Sequence, residues 1–281
     1  MFLTFQALDY PYNLEEVTKT VPTKLRAETA PIPQYLFSRS VAGTSHQDLI
    51  DSMTLLTKGQ IKARFFRFYP ERQVSLSHWL AHWLNKGAIP VATLNRQLAL
   101  LPGQNIPDAW HHQMIFGVSP NGVFLTNPLE NVREHTISQQ LCSNSELLVR
   151  RSDIVSRWHP TCDLQILAEI ETDERWDQLN VLGQVISVLR EEHLRPASIG
   201  AGSAAAASSP VGSGQPTAAV SPSTGPGGTA SSNPVQRTHV RIPAMYESGI
   251  TLFVDASISE TSADELMSAP ELPLKNPQNS F

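Results

Sequence analysis

The sequence predicts an α+β fold, with helices packed on an antiparallel sheet and a disordered insertion ahead of the last strands. Three observations predict it. Two segments carry apolar residues at helical spacing, a hairpin with a clear turn follows them, and one block of 38 residues carries no charged side chain. The chain has 281 residues, 41% of them hydrophobic, which suffices for a sizeable core.

Residues 1–44 are punctuated by proline and only weakly periodic, so this lead is expected to be weakly structured or truncated. A helix opens at residue 45. Ser45 and Asp48 form an S-x-x-D capping box, and Leu49, Ile50, Met53 and Leu56 make one apolar stripe. Lys58 and Gly59 close the helix. ARFFRFYP (63–70) reads as a strand. The next helix has the strongest period: Ser75 is expected to cap it, and Leu76, Trp79, Leu80, Trp83 and Leu84 fall at i, i+3, i+4, i+7 and i+8 before Gly87. Burying five such side chains contributes roughly 1.5–3 kcal/mol each before entropy, which makes this helix a core wall.

IPVATLN (89–95) reads as a buried strand. QMIFGV (113–118) and VFLTN (123–127) are two more, joined by Ser-Pro-Asn-Gly. Pro120 suits the second place of a tight turn, and Asn121-Gly122 tolerates positive φ. A helical stretch runs from Ser145 to about Trp158, LQILAEIE (164–171) is strand-like, and 173–194 reads as one long helix stopped by Pro196. In residues 197–234, 33 of 38 are Ala, Ser, Gly, Pro or Thr. Such a composition cannot bury enough apolar area to offset chain entropy, so 196–236 is predicted to be a disordered linker. THVRIP (238–243) and ITLFV (250–254) read as a returning strand pair within 237–255, and 256–281 as a flexible acidic tail.

The net charge is −5 with no basic patch, which argues against a nucleic-acid partner. No run approaches the ~18 apolar residues of a membrane span, and the start lacks the basic region of a secretory signal. Two cysteines, Cys142 and Cys162, cannot make a disulfide framework. These readings place the chain in the cytoplasm, away from membranes. His78 and His82 stand at i, i+4, but no carboxylate follows His78 as in H-E-x-x-H, so no metal site and no cofactor are predicted.

The chemistry is expected in Trp110–Val118 and Val123–Pro128. A His at the mouth of one hairpin strand is expected to face an Asn at the far end of the next. The Asn127 oxygen would then accept the His111 Nδ1–H and leave Nε2 free as a general base. Gln113 shares the face of His111 and is a candidate substrate-binding residue. Trp110 either screens the site or packs.

This arrangement resembles the papain-like cysteine peptidases, in particular the bacteriocin-leader (double-glycine) branch. His111 to Gly117 gives H-x5-G, Asn127-Pro128 lies 16 residues after His111, and WLNKG followed by AIPVATLN is similar to what that branch has before its His. The likeness covers about residues 45–130. It implies a papain-like domain over 45–195, with His111 rather than His112 as the site histidine and Asn127 as its partner. It also implies an upstream Cys at the N-terminus of a buried helix, activated by the helix end and the His. No Cys precedes residue 142. Thr44-Ser45 stands near the expected place but reads as a helix cap, and Cys142 and Cys162 lack the flanking glycine of peptidases with the reversed residue order. The resemblance therefore implies a cysteine-peptidase-like domain, inactive or N-terminally truncated in this form, that binds an extended peptide. In that reading His111 and Asn127 are a relic pair without a nucleophile. The alternative is a non-catalytic interaction module with a tethered C-terminal strand segment.

Overall fold

A computed structural model describes residues 1–98, 105–170, 172–194 and 237–276. The linker predicted at 196–236 lies outside the described residues. The fold is α+β, with one six-stranded and one two-stranded antiparallel sheet among the described residues.

The lead is more regular than its periodicity conveys. It holds α1 (Phe2–Ala7), α2 (Leu14–Thr20) and α3 (Ile32–Val41). The first two have 6 and 7 residues, too few for a helical period to stand out. Asn13 still caps α2, accepting from the Glu15 and Glu16 amides at 2.9 and 3.2 Å. Helix α4 (His46–Leu56) carries the predicted capping box in full. Strand β1 (Ile61–Arg67), α5 (Leu76–Asn85) and β2 (Ile89–Asn95) follow, but Ser75 makes no side-chain cap on α5, because its Oγ meets His78 Nδ1 at 3.0 Å instead. The hairpin is β3 (Trp110–Ser119) and β4 (Gly122–Leu125), continued by β5 (Glu130–Val132) and α6 (Glu134–Leu141).

The second half departs further from expectation. The stretch read as helix from Ser145 is strand β6 (Glu146–Arg150) followed by the short α7 (Arg151–Val155). The segment read as a strand at 164–171 contains a 3-10 turn, Gln165–Leu167, which buries Leu167. The long helix is broken into α8 (Arg175–Gln178) and α9 (Val181–His193), because Asn180 adopts φ 48° and caps α9 with its side chain. The last strands, β7 (His239–Pro243) and β8 (Gly249–Asp255), do not pair with each other: β7 joins β6, and β8 enters between β1 and β2. The segment read as a flexible tail contains α10 (Glu260–Ser268), and Leu274 bridges back to Arg72.

The large sheet has the order β1-β8-β2-β3-β4-β5. Strand side chains alternate between its faces. Ala92, Leu94, Ile115, Leu252 and Val254 meet α5, α6 and α10 on one side. Val91 and Phe253 meet Phe5, Val17, Leu49 and Met53 from α1, α2 and α4 on the other. Because both faces are covered, β8 is buried along its whole length. The small sheet packs on α3, α8 and α9 around Leu147, Val149, Val185 and Val240, a separate core.

Candidate functional site

The hairpin register decides which residues meet. Gly117 pairs with Phe124, a bulge follows, and Ile115 pairs with Leu125. Thr126 N then donates to Met114 O at 3.0 Å, which brings Asn127 level with Gln113 and leaves His111 two residues further along the strand. The expected His111–Asn127 contact is not made: among the described residues, no hydrogen bond joins them. It is Gln113 that reaches Asn127, and at the backbone. Its Nε2 donates to Thr126 O and Asn127 O at 3.0 and 3.1 Å and approaches Glu130 Oε1 at 3.4 Å. Gln113 is 1% exposed, so it holds the chain leaving β4 and does not line a cleft.

His111 lies beside Asp108 and Arg96. Burial and the Arg96 guanidinium hold its ring below the usual histidine value, with Asp108 opposing them. Trp110 stacks on Tyr246, with ring centroids 5.9 Å apart, and packs on the core of the small sheet. Its buried Nε1 has no hydrogen-bond partner among the described residues.

Adjacent strand residues point to opposite faces. His112 therefore lies with Met114 on the face covered by α1, α2 and α4, where a cleft of about 580 Å³ opens. Val91, Met114 and Phe253 line its sheet side, Val17 and Leu49 its helix side, and Thr44 and Asn127 lie at its polar parts. His112 Nε2 is 2.6 Å from the Thr44 carbonyl oxygen, which can only accept, so Nε2 carries the proton. In the neutral ring Nδ1 is then the acceptor, and Thr93 Oγ1 donates to it at 3.0 Å. Burial lowers the pKa to about 4, with the Thr44 hydrogen bond opposing. Both nitrogens are committed, and the ring is neutral near pH 7. It acts as a base only if the Thr93 hydroxyl turns away.

The helix that begins at the cleft presents no nucleophile. Ser45 Oγ donates to Asp48 Oδ2 at 2.7 Å and accepts from Asp48 N at 3.1 Å, so it is the cap that the sequence predicts. Cys142 ends α6, and burial pushes its thiol up, away from the reactive thiolate. Cys162 packs against the core of the small sheet. No hydrogen bond joins either sulfur to a histidine among the described residues. His78 Nδ1 meets Ser75 Oγ at 3.0 Å and His82 Nε2 meets Glu265 at 3.3 Å, so the two rings engage different partners. No group of three or more His, Cys, Asp or Glu side chains could hold a metal ion among the described residues. No helix among them is long and apolar enough to cross a membrane.

Sequence reasoning missed His112, Thr93 and Thr44 as a connected set. Part of the signal was present: counted back from the Pro120-Asn121 turn, Asn127 falls opposite Met114 or Gln113. The link from Thr44 to His112 spans 68 residues and has no local signature. In comparisons with protein-family models, curated proteins and solved structures, nothing matches this chain.

Proposed function

We propose that the chain is a non-catalytic peptide-binding domain of papain-like ancestry, and that the cleft beside His112 takes an extended, largely apolar segment. One observation carries the reading. A mostly apolar cleft with a few fixed polar groups is the usual form of a binding pocket, and here its one imidazole is neutral and held at both nitrogens. Binding needs such a surface, whereas thiol hydrolysis needs a free base and a thiolate beside it. The papain-like part is supported by the order of helix, apolar strand, histidine strand and Asn-Pro, and by the start of α4 lying against a strand histidine. In this reading the relic histidine is His112, and Asn127 contributes a polar group to the cleft wall.

Fluorescence anisotropy with a set of labelled nine-residue peptides, graded from apolar to charged, tests this. Apolar peptides are expected to bind saturably. Thr18→Trp, an exposed position on the cleft wall, is expected to abolish binding while circular dichroism stays unchanged. Peptide cleavage that is lost in His112→Ala, together with thiol-probe labelling of Cys142 or Cys162, would overturn the non-catalytic reading.

A further inference from the structure

Arg39, in the last turn of α3, is a poorly compensated buried cation. Its side chain is 9% exposed. Its Nε is buried and has no hydrogen-bond partner among the described residues. Its Nη1 reaches Asp108 Oδ1 at 3.4 Å, an oxygen that Arg26 Nη1 already holds at 3.0 Å. Removing a guanidinium from water without full pairing is costly, so a compensating group is expected beside it.

Arg39 lines a cavity of about 150 Å³ with almost wholly polar walls. Arg26, Arg150 and Tyr35 line it as well. Arg150 donates Nε and Nη2 to the Ile106 carbonyl at 3.0 and 2.6 Å, a neutral partner. The carboxylates around the cavity have other partners. Glu28 pairs with Arg157 at 3.3 Å, Asp153 accepts from the Tyr35 hydroxyl at 3.3 Å, and Asp108 is shared between Arg26 and Arg39. Burial pushes the Asp108 carboxyl up, yet the two guanidinium groups outweigh it and hold it below the usual carboxylate value.

We propose that this cavity binds a phosphate-type oxyanion, either free or as the head of a small phosphomonoester, between Arg26, Arg39 and Arg150. The size suits this ligand. The volume equals about five waters at ~30 Å³ each, room for one tetrahedral anion and not for a nucleotide. Guanidinium forks match phosphate oxygens two at a time. Three forks supplied by the lead, α3 and the end of β6 would surround such an anion, whereas Asp108 already supplies the carboxylate that two of them can share. The site is separate from the peptide cleft and does not depend on it.

Isothermal titration of the full chain with inorganic phosphate, in chloride buffer of matched ionic strength, tests the proposal. One saturable site is expected. Arg39→Gln and Arg150→Gln are each expected to weaken it by about ten-fold or more, the loss of a charge-assisted hydrogen bond. Arg150 is exposed, so its variant keeps the test decisive if Arg39→Gln fails to fold. A second arm with O-phosphoserine separates the sources: equal binding assigns the site to a phosphomonoester head, and binding of inorganic phosphate alone assigns it to the free anion. Three results would each overturn the proposal: no saturable heat in either arm, undiminished binding in Arg150→Gln, or acetate binding as tightly as phosphate.

Discussion

The two sheets solve the same problem by different means. A strand edge exposes unpaired N–H and C=O groups. In the large sheet the four inner strands have strand neighbours on both sides, and helices cover both faces. The small sheet has two strands, so each has one free edge, and a glutamine amide sits on each. Gln97 Nε2 donates to Leu148 O at 2.9 Å while its Oε1 accepts from Leu148 N at 2.6 Å. Gln184 makes the same pair of bonds with Arg241, both at 2.9 Å. A primary amide carries the same donor and acceptor as a peptide group, so each glutamine stands in for a missing strand. A two-stranded ribbon is marginal by itself. Here it persists because side chains close its edges and α3, α8 and α9 bury its apolar face.

If the large sheet is held by burial and the small one by edge pairing, substitutions should separate them. The largest effect is expected from Phe253→Ala in β8, which is 2% exposed between two helical layers. A loss of about 3–5 kcal/mol in urea unfolding is expected, and a loss below 1 kcal/mol would break the burial half of the comparison. Acid comes next. The His112 ring takes a proton near 6.5 when unfolded and only near pH 4 when folded. Below pH 6.5 the unfolded chain binds more protons, so this stability is complete above 6.5 and is lost as pH falls towards 4. The loss is up to about 3 kcal/mol. Denaturation midpoints between pH 7 and 4 should follow that slope, and His112→Gln should flatten it.

Gln97→Ala tests the edge half. Gln97 is 6% exposed, and its removal leaves Leu148 N and O unpaired at a cost of roughly 1–3 kcal/mol. The same variant should also associate as its concentration rises, measured by light scattering; a monomer of unchanged stability would show that the amide is not an edge cap. Ser45→Ala is expected to have the smallest effect, about 1 kcal/mol, because a cap at the rim of the large sheet touches neither edge nor core. Thermal unfolding would detect it.

The legible parts of the fold were those with local causes. The Ser45/Asp48 box and the Leu76–Leu84 stripe predict α4 and α5 because a helix satisfies its backbone within a few residues. The Pro120-Asn121-Gly122 turn likewise predicts the β3–β4 hairpin. Strand β6 was misread as helix because its Leu147-Leu148-Val149 run has no period that separates strand from helix. Of the candidate site residues, Asn127 does line the cleft, but His111 and Gln113 belong to other surroundings.

By itself the sequence determined the α+β class, the Ser45 cap, the turn and two core helices, all of them products of short-range hydrogen bonding and spacing. Tertiary structure alone decided that β8 enters between β1 and β2, that His112 and not His111 turns towards the cleft, and that two glutamines close the small sheet. Each joins residues far apart in the chain: Arg67 with Gly249, Thr44 with His112, Gln184 with Arg241. Such partners meet only when apolar faces pack, so nothing in the neighbouring residues announces them.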